Sequence, residues 1–287
     1  MYAVHLSYSM IKPGDRVLDI GGSASPFKRA DAVLDFLPYE QRNKSGFLGG
    51  LKENFTKQSW FIQDVCDRTK PFPFKDKEFD FVNCGHLLED VRDPFYVISE
   101  VLRISKRGYF EVPSRVCEQM KWAERRRICG FAHHRWFIDS KINEKTGKEE
   151  MIFVFKNHSL HGDKRFHVKP KGLHFGRPRM NTALQFSGFY FNGPFNAYED
   201  VSQAIDNGEK FMLETVKQAD ALGSRLWDVT EKTPVRIKDI DSLAPGLHPL
   251  SKIADKIDRS VLLFDPKTRE KTQELIAFEN EIYAAAH

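Results

Sequence analysis

The sequence predicts an α/β protein built on a mostly parallel β-sheet with helices on both faces, and three observations lead there. Short β-branched or aromatic runs alternate with helical or loop segments up to about residue 115, the pattern of βαβ units. Those runs are apolar nearly throughout instead of alternating, as expected of strands covered on both sides. Several of them end in an aspartate or lead into small residues, at the edge where an open α/β sheet accepts ligands.

The expected strands are "RVLDI" (16–20), "AVLD" (32–35), "SWFIQD" (59–64), "FDFVNC" (79–84) and "GYFEVP" (108–113). One helix is expected over 94–105, with Phe95, Ile98, Val101 and Leu102 at three- and four-residue spacings on one face. Asp93 is its N-cap and Pro94 its first helical residue. Beyond Ser114 the texture changes. Residues 115–137 are rich in Arg, Trp and His, and "MIFVF" and "RFHV" within 149–175 look strand-like. The chain then reads helical over 198–221, passes through the Pro/Gly-punctuated "TPVRIKDIDSLAPGLHPL", and ends in a charged helix from about 267.

Composition bounds the function. With 287 residues, 41% apolar and 29% charged, the chain is of the ordinary globular class and long enough to bury a core. Its longest apolar runs fall far short of the roughly 20 residues needed to cross a bilayer, and the N-terminus lacks a secretory pattern, so no membrane span and a cytoplasmic location are expected. Cys66, Cys84, Cys117 and Cys129 form no C-x-x-C pair, which argues for packed, reduced thiols. A net charge of +4 suits an anionic small molecule and does not call for nucleic acid.

At the first strand end, Asp19 is followed by 21-GGSAS-25, whose small residues let a ligand approach the backbone. Asp35 ends the second strand and suits both hydroxyls of a ribose. Asp64 ends the third, with the Val65 backbone beside it, and suits an adenine amino group. Cys84 ends the fourth, before "GHLLEDVRDP". Four strand ends in series are far more specific than one glycine loop. Here the segment 61–114, "FIQDVCDRTKPFPFKDKEFDFVNCGHLLEDVRDPFYVISEVLRISKRGYFEVPS", resembles class I S-adenosylmethionine-dependent methyltransferases, with a methyltransferase type 11-like core. The resemblance covers residues 12–114.

The resemblance implies a Rossmann-like, seven-stranded, mostly parallel sheet that binds S-adenosylmethionine across its carboxyl edge. It places Gly21 and Ser23 against the methionine part, Asp35 on the ribose, and Asp64 and Val65 on adenine, with Asp19 and Gly22 also among the cofactor-binding residues. Cys84 and His86 would lie near the sulfonium. The implied division is a cofactor-binding core over 10–115, sheet completion with a substrate-facing insertion over 116–197, and a helical C-terminal cap or extension over 198–287. Two departures stand out. Ser23 and Ser25 occupy two of the family's glycine positions, and "FKRAD" leaves no room for the usual helix before the second strand.

The segment 130-GFAHHRWF-137 follows the fifth strand, where such proteins insert substrate-facing elements. Histidine titrates near neutrality, so His133, His134 or, near the methyl position, His86 is suited to serve as base for a hydroxyl acceptor. Arg135 suits a substrate phosphate or carboxylate and Trp136 a sugar face. The alternative is that Trp136 and Phe137 are core. "EVPSR" together with His-Arg-Trp is similar to a subgroup found with polysaccharide and glycan biosynthesis, which implies a sugar hydroxyl as acceptor. An RNA acceptor, read from the basic run 121–135 with Trp122, and a non-catalytic cofactor-binding role are the rival readings. His158, His161, His167 and His174 match no compact site spacing, and no metal is expected. Leu275, Phe278 and Ile282 are available to cover the core or to form a homodimer contact.

Overall fold

The computed structural model describes residues 10–12, 14–22, 26–42, 53–121, 123–124, 127–169, 180 and 182–227. Strands β1 (Val17–Ile20), β2 (Ala32–Asp35), β3 (Trp60–Ile62), β4 (Phe79–Gly85) and β5 (Ser105–Pro113) form at the expected places. They assemble in the order β3-β2-β1-β4-β5, all parallel. A sixth strand, β8 (Phe186–Asn192), closes the far edge antiparallel to β5. The sheet therefore has six strands among the described residues, against the seven that the family resemblance implies.

Helix α1 (Pro94–Ile104) connects β4 to β5. Asp93 caps it, accepting from the Tyr96 backbone N–H at 3.1 Å, with Pro94 in the first turn. Val97, Ile98, Val101 and Ile104 face inward and join Leu18, Leu34, Val82 and Phe110 in the main core cluster. A fully buried chain of side chains of this kind contributes about 1.5–3 kcal/mol per Leu, Val, Ile or Phe.

The second departure lies in residues 116–197. Among the described residues of that span, only β8 joins the main sheet. β6 (Trp136–Ile142), β7 (Glu149–Phe155) and β9 (Asn196–Glu199) form a separate three-stranded sheet in the order β6-β7-β9. Trp136, Ile138, Met151 and Phe153 from this sheet pack into the same cluster as α1. One face is thus covered by α1 and a small sheet, where helices alone are expected. "RFHV" is not a strand: Lys164–Phe166 form a 3-10 turn, and Val168 makes a single bridge to Met120.

The remaining α-helices among the described residues are α2 (Arg115–Glu118), α3 (Thr182–Gln185), α4 (Val201–Ala204) and α5 (Gly208–Leu222). The helical reading of 198–221 holds in α4 and α5, after the end of β9. The Pro/Gly stretch, the terminal helix, Leu275, Phe278 and Ile282 lie outside the described residues. None of the described helices is long and apolar enough to cross a membrane. All four cysteines are free and buried.

The turn after β1 is held by Asp19. Its Oδ2 accepts from the Phe27 N–H at 2.8 Å and its Oδ1 from the Asn83 side-chain amide at 2.7 Å. Residue 22 must be glycine for this to form, because a Cβ there would lie 2.3 Å from Asp19 Oδ2. Gly22→Ala should therefore break the Asp19 to Phe27 bond and cost about 1–3 kcal/mol for the buried groups left unpaired. Urea unfolding monitored by circular dichroism checks this; an unchanged midpoint would remove the latch from the account.

Candidate functional site

The strand ends named from the sequence do converge on the carboxyl edge of the main sheet, but their side chains divide into two kinds. Asp19 is 2% exposed, and both its oxygens are committed to the turn. Burial pushes its carboxyl up to about 6, against the pull of the Phe27 and Asn83 hydrogen bonds. Asp19 shapes the turn after β1 from beneath. Gly21 donates its N–H to Leu34 O and has φ of +74°, with Leu87 against the place a Cβ would take. Ser23 lies outside the described residues. Among the described residues no helix follows: the chain turns at Phe27–Ala30 directly into β2. Arg29 is buried and turns inward, to Asp31 and the Asp15 carbonyl.

Asp35 is also buried, and its Oδ1 accepts from Leu37 N–H at 2.7 Å. Asp64 is half exposed, accepts from Cys66 N–H and from Arg92, and is held below its ordinary value first by that backbone bond. The Val65 side chain belongs to the core, leaving only its backbone for a ligand. Cys84 is 1% exposed, and its thiol is pushed far up by burial, so its side chain is core and not a sulfonium contact. Two residues at this edge escaped the sequence reading. Phe36, directly after β2, is 69% exposed and Ile62, at the end of the neighbouring β3 where it pairs with Asp35, is 62% exposed. The signal was an aromatic residue directly after the strand-ending acid.

Beyond β4 lies a dense group of ionisable residues. His86 adopts φ of +56°, an uncommon conformation for a non-glycine residue, with its N–H on Glu111 O. Its Nδ1 is 3.2 Å from Glu89 Oε1 and its Nε2 3.4 Å from Glu111 Oε1, and the ring meets Phe186 edge to face. Burial alone would lower its pKa, but Glu111 and Glu89 outweigh that and push it up to about 9. A raised pKa favours the protonated ring, which has no lone pair to accept a proton, and this counts against His86 as the base named from the sequence.

Next to it, the loop before β6 is fastened to the loop after β4. Arg135 N–H donates to Glu89 O, and Arg135 Nε to Asp90 O. That engagement orients Arg135, which remains exposed. Trp136 corrects the expectation of a sugar platform: it is 8% exposed, donates its indole N–H to Val91 O, and packs against Phe95, Phe153 and Phe155. Phe137 is likewise core.

His133 and His134 diverge. His133 is exposed and His134 buried. His134 Nδ1 meets Glu118 Oε1, whose Oε2 accepts from the fully buried Lys156 at 2.6 Å. Burial opposes the Glu118 charge, yet His134 and Lys156 hold its pKa below the ordinary value. A carboxylate only accepts, so His134 Nδ1 carries a proton. Its Nε2 stands 3.8 Å from Asp90 Oδ1. His161 and His167 serve the fold: His161 faces Cys129 O, and burial drives it down to about 4, while His167 Nε2 contacts His161 O. Trp122, Arg125, Arg126 and His174 lie outside the described residues.

The His86 geometry has a measurable sign. Its pKa is raised, so its contribution to stability is complete below about 6.5 and is lost as pH rises through about 9. An NMR titration of the His86 ring should give a midpoint near 9, and His86→Gln should flatten the fall in stability between those pH values. A midpoint near 6.5 would show that the glutamates do not hold the proton.

Comparison with known proteins finds methyltransferases. A family model described as a methyltransferase domain matches residues 45–110. The demethylmenaquinone methyltransferase of Streptomyces avermitilis is 30% identical over 129 residues, which is 44% of this chain and 46% of that protein. The chain thus spans about half the length of this curated relative. Among solved structures, a methyltransferase in complex with the Trm112 activator of Haloferax volcanii aligns at 22% identity over 39% of this chain and 52% of its own, with a TM-score of 0.30. An S-adenosylmethionine-dependent methyltransferase of Mesorhizobium loti aligns at 16% identity over 53% and 61%, with a TM-score of 0.29. The family match and the curated relative support a class I methyltransferase, with S-adenosylmethionine as the cofactor they indicate.

Proposed function

We propose that the chain transfers the methyl group of S-adenosylmethionine to a hydroxyl of a small polar acceptor, with a sugar or glycan precursor as the favoured class. The observation that carries this reading is the concentration of His86, Glu89, Asp90, Glu111, His133 and His134 just beyond the cofactor edge. Charged, hydrogen-bonding walls suit a polyhydroxylated acceptor better than an isoprenoid quinone of the kind in the Streptomyces relative's name.

In this reading the cofactor lies across β1, β2 and β3. Asp35 holds the ribose, adenine rests between Phe36 and Ile62, and Asp64 with the Val65 backbone meets its polar edge. Positioning supplies much of the catalysis, since the sulfonium is already activated. The acceptor oxygen attacks the methyl carbon in line, the C–S electron pair returns to sulfur, and the hydroxyl proton leaves toward His134. Of the three histidines considered, His134 is the buried one, its Nδ1 held by the buried Glu118 carboxylate and its Nε2 left toward the cluster. Cationic His86, beside the methyl position, orients the acceptor through its polar contacts.

Two measurements test the reading. Asp35→Asn retains a carbonyl to accept from Leu37 and should fold, yet bind S-adenosylmethionine at least about tenfold more weakly in calorimetry, since a hydrogen bond to a charged group is worth roughly 1.5–3 kcal/mol; unchanged affinity would sink the ribose assignment. Incubation with deuteromethyl-labelled cofactor and a panel of nucleotide sugars, demethylmenaquinone and RNA should transfer label to a sugar alone. Label on the quinone or RNA would overturn the acceptor class.

A further inference from the structure

His133 and His134 share an arrangement that neither the fold nor a proton-transfer role requires. Both turn Nε2 toward the same atom, Asp90 Oδ1, at 3.9 and 3.8 Å. Both turn Nδ1 toward a glutamate, Glu124 Oε2 at 3.4 Å for His133 and Glu118 Oε1 for His134. Asp90 Oδ1 is a buried atom with no hydrogen-bond partner among the described residues. The three donor atoms lie within 4.8 Å of one another, and the two rings meet edge to face at 4.4 Å.

Those separations are too long for hydrogen bonds. They approach the ligand spacing of a tetrahedral zinc site, where bonds of about 2.0–2.1 Å put ligands roughly 3.4 Å apart. Metal-bound histidines almost always give their other ring N–H to a carboxylate or carbonyl, which fixes the tautomer and aims the lone pair at the metal. Glu118 does this for His134, and is itself locked by Lys156; Glu124 stands in the same relation to His133 and is steadied by accepting from Ala132 N–H at 2.6 Å.

We propose that Asp90 Oδ1, His133 Nε2 and His134 Nε2 bind one divalent cation of the zinc class. Two imidazoles and one carboxylate fit borderline cations such as zinc over magnesium or calcium, which prefer all-oxygen sites. Three protein ligands leave a fourth position open for an oxygen ligand. The use of that position rests on the methyl-transfer reading: a bound cation would lower the pKa of a coordinated acceptor hydroxyl, taking over the part given above to a free imidazole. The sequence offers no sign of the site, because Asp90 is more than forty positions from the histidine pair.

The chelator-stripped chain, titrated with zinc chloride in a calorimeter, should bind one ion. Asp90→Ala and His133→Ala remove partly exposed side chains and leave the core alone; each should weaken binding by at least the roughly 10–100-fold seen for loss of a supporting partner. His158→Ala, an exposed histidine outside the cluster, should bind as the unaltered chain does. Cobalt should give a visible absorption band that the Asp90→Ala and His133→Ala variants lose. Binding no tighter in the unaltered chain than in the Asp90→Ala, His133→Ala double variant overturns the site. A parallel titration with S-adenosylmethionine separates the two readings: zinc binding without cofactor binding removes the methyl-transfer role alone, and cofactor binding without zinc binding removes the metal alone.

Discussion

A buried ammonium is too costly to leave unpaired, and this molecule encloses one completely. Lys156, at the end of β7, is fully buried and is held by Glu118 from the helix after β5 and by the Phe131 carbonyl. Removing one partner from such a pair costs about 3–5 kcal/mol, because the other charge is left stranded. The remaining Glu118 oxygen is spent on His134. Three chain segments far apart in sequence thereby meet at one carboxylate: the exit of the main sheet, the histidine loop and the small sheet. Gly130 lets the loop wrap closely there, since a Cβ would collide with Glu118 O and its φ is +65°.

From that junction outward, charge is arranged by two different rules. At the end of β1, Asp19 is consumed by the backbone it supports, and among the described residues the turn is held without a helix behind it. A helix N-terminus would normally supply donors and a favourable dipole for a bound anion. Here the turn depends instead on Asp19, Asn83 and the space left by Gly22. On the other side, ionisable groups face one another with few neutral residues between. Glu89 and Glu111 stabilise positive charge on His86, while Glu118 and Glu124 orient the neighbouring histidines. Like a metal site or an active-site cleft, such a group is stable only when an opposite charge or a ligand completes it.

Local patterns made the core strands and α1 legible. Short apolar runs ending in acids, and Asp93 followed by Pro94, depend on neighbours in the chain and on the strand and helix periods. The small sheet was not legible in the same way. β6 and β7 pair antiparallel across a short connection, yet β6 begins in the segment that reads as substrate-facing. Trp136 was open to either reading, because an aromatic after a basic residue serves a ligand or a core equally well; the Val91 carbonyl, which takes its indole N–H, decides for the core. Cys84 is similar. A residue at a strand end can present its backbone to a ligand while its side chain points down into the sheet cover.

The sequence by itself determined which residues end the parallel strands, where α1 starts, and that the chain after β1 must reach β2 without a full helix. These follow from periodicity, capping chemistry and the number of residues available. Only the tertiary structure decided which histidine has two glutamates raising its pKa, which is tied to a buried carboxylate, and that Asp90 stands between His133 and His134. Protonation and ligand geometry depend on burial and on charges brought close by the fold, and no spacing along the chain encodes those distances.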